Sequence, residues 1–324
     1  MIKKIVCIAF VLLSTSAIAK VYNFKPIWKV GDKKHITITA NEKEFINDSL
    51  VLDTVYVNEA EVKIQSEAKK YYRLKIKFEN QVLRSAALFY DKLGEELQDY
   101  KDLTLVYKVD KKTGKAELVN WKEAKVFMDN SFEQMEKLLE EKSPDVAPFF
   151  SMAMSPVLIL LKDKKGIEEY MMSNVGYLIS IFNHDFEEGN PAVSIDSTEN
   201  PFNPKESISQ TTTRELLSVD KQNKVCEIKE EVELDLSSFI TMIKGMMKSM
   251  GKSFGVSDSS LVDKEKELDD FSMDMINEST IYYNYKSGWV ERVVKVGEVI
   301  STDPKTKEKK KKSIVTKYVV KDFK

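Results

Sequence analysis

Period-two alternation stands at both ends of this chain and helical periodicity fills its middle, and that arrangement constrains the fold more than any single motif. Ile36 and Ile38 alternate with His35, Thr37 and Thr39; Val55 and Val57 alternate; and Tyr72, Leu74, Ile76 and Phe78 interleave with Arg73, Lys75 and Lys77. Apolar side chains at every second position mark half-buried strands, and strands with one wet face belong in an antiparallel sheet. Val82, Ala86, Phe89, Leu93 and Leu97 then recur at helical spacing and predict a helix ending near Tyr100. A hairpin follows, with arms at Leu103 to Val109 and Lys115 to Asn120. Gly114 supplies the positive φ that its turn requires.

From Trp121 to about Phe182 the periodicity is helical. Ser143-Pro144 and Ser155-Pro156 each read as an N-cap followed by proline at the first helical position. A turn-rich connection, from Gly189-Asn190-Pro191 to Asn203-Pro204, leads to strands at Ser207 to Val219 and Val225 to Leu234. A helix is expected from about Leu236 to Met250, then a Gly/Ser-rich link and an acidic stretch. The closing strands are Ser279 to Tyr285, Trp289 to Val299 and Ser313 to Val320. The expected fold class is α+β, in one domain over 20–324. It comprises a curved antiparallel sheet built from both ends of the chain, covered by a central helical layer at about 121–182.

Residues 1–19 have the order of an export signal: Lys3 and Lys4, an apolar run from Ile5 to Leu13, and Ala17-Ile18-Ala19 before the cleavage point. The run is far shorter than the roughly 20 residues needed to span a bilayer. The expected product is therefore an exported periplasmic or extracellular protein with no transmembrane segment. Removal of Cys7 leaves Cys226 as the one thiol, so no intramolecular disulfide holds the fold and the core must do so. The formal net charge of -2, and a basic set with only four arginines (Arg73, Arg84, Arg214, Arg292), imply no nucleic-acid partner.

Chemical motifs are sparse. Gly251-Lys252-Ser253 lacks the glycine that a P-loop needs five positions before Gly251, since Met246 stands there. The two histidines, His35 and His184, lie on a polar strand face and in an acidic loop, without paired metal-ligand spacing. No catalytic residue, cofactor or metal ligand is expected. The run from Lys305 to Lys312 reads as a charged hairpin tip or as a peripheral contact with an anionic surface. The most unusual segment is the Met-rich helix. Phe239, Ile243, Met246, Met247 and Met250 share its apolar face and Lys244, Lys248 and Lys252 another, which suits either a core helix or a lid over a hydrophobic ligand.

Four segments, Trp28-Lys29-Val30-Gly31-Asp32, Thr113 to Trp121, Asn200-Pro201-Phe202 and Ser287-Gly288-Trp289-Val290, resemble secreted envelope proteins of Bacteroidota. The resemblance implies a curved sheet partly wrapped around helices, similar to the periplasmic lipoprotein carriers, and implies no catalytic residues. The leading functional expectation is non-enzymatic binding of a hydrophobic or lipid-like ligand in a cleft between sheet and helices, with Phe239, Ile243, Met246, Met247 and Met250 lining it. The alternative is a structural or protein-interaction component of the envelope with no cavity. A carboxylate-dependent hydrolase comes third.

Overall fold

A computed structural model describes residues 20–79, 103–145, 147–182, 184–200, 203–235, 272–303 and 306–323, with positions 237, 240, 241, 244 and 245. The expected signal at 1–19, the helix predicted at 82–100, the Gly251-Lys252-Ser253 segment and Asn200-Pro201-Phe202 beyond its first residue lie outside these.

Strand is the dominant structure. β1 (Val21–Asn23) pairs with β7 (Asp185–Glu187) in a small separate ladder. The other strands are β2 (Lys33–Ile46), β3 (Ser49–Glu67), β4 (Tyr71–Glu79), β5 (Leu103–Asp110), β6 (Ala116–Leu118), β8 (Ala192–Asn200), β9 (Asn203–Asp220), β10 (Val225–Leu234), β11 (Ser272–Asn284), β12 (Trp289–Thr302) and β13 (Lys309–Asp322). They form one 11-stranded antiparallel sheet in the order β6-β5-β4-β3-β2-β13-β12-β11-β10-β9-β8. Three helices, α1 (Trp121–Lys142), α2 (Ala147–Leu160) and α3 (Lys164–Val175), precede a 3₁₀ turn at Gly176–Leu178.

This corrects the expected α+β class with its covering helical layer: the described residues are 57% strand and 21% helix, one large sheet with three short helices. The helices meet the sheet mainly where α1 reaches β5 and the 3₁₀ turn reaches β12. The expectation failed on strand length. β3 has 19 residues and β9 has 18, and at about 3.3 Å per residue β3 is roughly 60 Å long, far longer than its apolar alternation reveals. β8 stands where a turn-rich connection was expected, because its sequence is mostly polar and one edge is unpaired. Ser155-Pro156 starts no helix but lies within α2, and Ser143 closes α1, donating its backbone N–H to the Leu139 carbonyl at 2.7 Å.

Turn chemistry fixes the sheet's register. Asn47 and Asp48 take φ of 47° and 64° between paired Ile46 and Ser49, the two-residue turn whose twist matches its strands. At the β5–β6 turn, Asp110 accepts from the backbone N–H groups of Lys112 and Thr113, and Gly114 passes so close to Phe182 that a Cβ there would meet the Phe182 Cβ at 2.7 Å. Three of the four segments quoted above converge on one aromatic cluster. Trp28 donates its indole N–H to the Gly288 carbonyl at 2.7 Å, and its ring lies 5.1 Å from Trp289 and 5.5 Å from Phe182, the side chain against which Gly114 packs. This cluster belongs to the main core beneath α3 and the 3₁₀ turn.

Candidate functional site: a cleft at the edge of the core

The cross-strand register places residues in rows. Leu216, Ile228, Ile281, Val293 and Tyr318 are successive partners across β9, β10, β11, β12 and β13, and all are at most 9% exposed. Two residues further along the same strands, hence on the same face, the next row reads Arg214, Glu230, Ser279, Lys295 and Thr316. The main core ends between these rows. One row beyond, Asn277, Gly297 and Ile314 are partners in turn, with Thr212 opposite Val232.

Over this boundary lies a roof built from α3. Asp163 caps the helix, accepting from the Gly166 N–H at 2.9 Å, and Ile167, Met171 and Val175 step by four into the core. Glu168 accepts the Leu118 N–H at 3.2 Å and Lys164 pairs with Glu117 at 2.8 Å, which ties the helix to the edge strand β6. Glu169 and Met172 of α3, with Gly176, Tyr177 and Ser180, then overhang the sheet. Between roof and sheet is a cavity of about 460 Å³ whose floor is Ile281, Val293 and most of the polar row. A second depression of about 390 Å³ shares Glu230, Ser279 and Lys295 with it and continues over Val232, Asn277, Gly297, Ile314 and Thr316.

The cleft's electrostatics are uneven. Arg214 and Glu230 form a bridge at 2.7 Å with both side chains only 16% exposed, so each neutralises the other out of bulk water. The Lys295 ammonium lies 5.8 Å from the ring centroid of Tyr177 and 5.4 Å from that of Tyr318, which stack on each other at 4.0 Å. Burial holds the Lys295 ammonium below the usual lysine range, partly offset by Glu230. Burial pushes the Tyr177 and Tyr318 hydroxyls up, so both stay neutral. The Ser180 hydroxyl is buried with no hydrogen-bond partner among the described residues. His184 is held below its usual range by burial and by nearby Arg214.

No protein-family model matches the chain. No curated protein matches it either. Among solved structures it is similar to Ail, the attachment invasion locus protein of Yersinia pestis, at 5% identity and a TM-score of 0.15 over 90% of this chain and 100% of that one. So slight a likeness assigns neither fold nor function.

The residues expected to line a cleft, Phe239, Ile243, Met246, Met247 and Met250, lie outside the described residues. Of the basic run, Lys309 to Lys312 are not a hairpin tip but the first residues of β13. Lys310 pairs with Glu308 at 3.3 Å, Lys311 with Glu298 at 3.0 Å, and Lys312 with Glu42 and Glu44. Among the described residues no group of three or more His, Cys, Asp or Glu is placed to hold a metal ion, and no helix is long and apolar enough to cross a membrane. Lys295 was missed, although a signal for it existed. Val293, Lys295, Gly297 and Val299 occupy one face of β12, so a charge and a glycine interrupt an apolar phase.

Proposed function

We propose that this protein binds a hydrophobic, lipid-like ligand in the cleft between the sheet and the α3 roof, and that it does so in the cell envelope after export. The observation that carries the reading is the cavity of about 460 Å³, within the size range of small-ligand sites, with Ile281 and Val293 beside the polar row in its floor and a continuation of about 390 Å³ over Val232 and Ile314. The export signal read at 1–19 and the resemblance to secreted envelope proteins support the compartment. Gly297 provides the test, because a Cβ there would meet nothing closer than 3.7 Å and a larger side chain fits a strand. Gly297→Leu should fill the depression and weaken binding of the neutral fluorophore N-phenyl-1-naphthylamine about tenfold with the melting temperature held. Wild-type protein that binds no such probe would end the reading.

A second reading, a protein-interaction component of the envelope, draws on β8. This edge strand leaves Val193 62% and Ile195 77% exposed. Concentration-dependent association that Ile195→Lys abolishes would favour it.

A further inference from the structure

The polar row contains one charge that the row does not neutralise. Arg214 and Glu230 answer each other, whereas among the described residues no carboxylate lies within ion-pairing distance of Lys295 and none of its three N–H bonds finds an acceptor. The ammonium rests on the faces of Tyr177 and Tyr318, which favour a cation but leave its donors free. It stands where cavity and depression join, since Lys295 lines both. Gly297, the next residue on that face, leaves the space beside it open. The backbone does not demand a lysine here: Val293, the preceding residue on this face, is wholly buried.

We propose that Lys295 receives the anionic head of an amphiphile, a carboxylate or a phosphate, while the ligand's chain lies along the depression over Val232, Gly297 and Ile314. This rests on the reading of the cleft as a site for a lipid-like ligand. An ammonium is a point charge with three donors and suits either oxyanion, and a site partly withdrawn from water strengthens that attraction. Arg214 is the weaker anchor for the head, because Glu230 meets its charge and accepts its Nε–H, and its Nη1 faces the Ser194 hydroxyl. Burial depresses the Lys295 pKa, the mark of a cation placed at a cost to folding that a bound anion would offset.

The test is displacement of N-phenyl-1-naphthylamine by dodecanoate, dodecyl phosphate and dodecanol from wild type, Lys295→Met and Lys295→Arg. Wild type should prefer at least one of the two anions to dodecanol by about tenfold, the worth of one charge-assisted contact. Whichever anion is tighter identifies the head. Lys295→Met should lose that preference while binding dodecanol within about twofold of wild type, and Lys295→Arg should recover part of it. Lys295→Gln serves as the second neutral variant if Lys295→Met does not fold. A wild type that binds all three amphiphiles equally, or a methionine variant that keeps the preference, overturns the assignment of Lys295 and leaves the cleft reading intact. Acetate or inorganic phosphate competing as well as the amphiphiles would show a free-anion site and also overturn it. Failure of the fluorophore and of every amphiphile to bind wild type would remove the cleft reading and this proposal together.

Discussion

Leu216, Ile228, Ile281, Val293 and Tyr318 cross the sheet as one buried row, and Arg214, Glu230, Ser279, Lys295 and Thr316 cross it as the next. Both rows use the same five strands, the same face and the same backbone pairing, so neither strand propensity nor register distinguishes them. What differs is the cover. The first row is buried with α3 and 3₁₀-turn residues in the main core, only Ile281 and Val293 reaching the cavity's edge, and the second faces the open cavity beneath them. Two residues along a strand, about 7 Å, separate a core position from a site position. The cleft on this sheet therefore begins where the apolar row stops.

The strongest way to break this comparison is to place the same charge in both rows. Ile281→Asp would bury an unpaired carboxylate and should cost several kcal/mol, leaving the protein unfolded or aggregated. Ser279→Asp should cost no more than about 1 kcal/mol, because its new carboxylate stands directly opposite Lys295 on one side, which offsets its repulsion by the Arg214-paired Glu230 on the other. Urea denaturation of the two variants decides the matter, and equal losses would erase the distinction between core and cleft.

The charged pair sharpens the second row. Arg214→Met strands Glu230 in a site with little solvent and should cost about 3 kcal/mol, whereas Arg214→Met combined with Glu230→Met should recover most of that loss. If the double variant is as unstable as the single one, the pair is supporting the fold rather than the cleft.

How far these rows were legible in the sequence depends on packing. Where one face is sealed, alternation is sharp: Tyr72, Leu74, Ile76 and Phe78 lie in β4 with that face buried, and Ile36 and Ile38 lie in β2. Where the strands run beyond the core, selection for apolar residues relaxes on both faces, as at Glu42 to Ile46 of β2 and Gly297 to Thr302 of β12, and the strand ends could not be read. The cleft was harder still. Arg214, Glu230 and Lys295 come from three strands, the first and last of them 81 positions apart (295 − 214), and their adjacency exists only through register. The two-residue turn at Asn47-Asp48 was legible in its residue types, yet its apolar flanks, Phe45-Ile46 and Leu50-Val51-Leu52, run consecutively instead of alternating and hid the hairpin it joins.

A smaller effect is expected one row deeper in the core than Ile228, at Cys226. Its thiol is fully buried, and burial with Glu188 nearby pushes it up to about 12, so it is unreactive as well as unpartnered. Cys226→Ser should cost about 1 kcal/mol by burying a hydroxyl in place of a thiol. Reductant should leave the wild-type melting temperature unmoved. Rapid alkylation of the native protein by iodoacetamide would mean that this part of the sheet opens far more readily than its burial implies.

The smallest effect carries the opposite sign. Lys295→Met should stabilise the protein by up to about 1 kcal/mol at neutral pH, since a partly buried cation gives way to an apolar chain of similar length. Its pH dependence follows from linkage. Burial depresses the Lys295 pKa below the ordinary 10.5, so between those two values the unfolded chain binds more protons than the native one and wild-type stability rises with pH. The variant has no such rise. Its advantage should be widest at neutral pH and shrink as pH climbs through the depressed pKa toward 10.5. The other charged and titratable groups lining the cavity are Glu169, Arg214, Glu230 and Tyr177, with Tyr318 beneath the ammonium, and all are common to both proteins. The raised pKa values of Tyr177 and Tyr318 keep both rings neutral through most of the interval. Parallel stability curves from neutral pH to pH 10, or a methionine variant less stable than wild type at neutral pH, would mean that Lys295 holds the fold together and that its row belongs with the core.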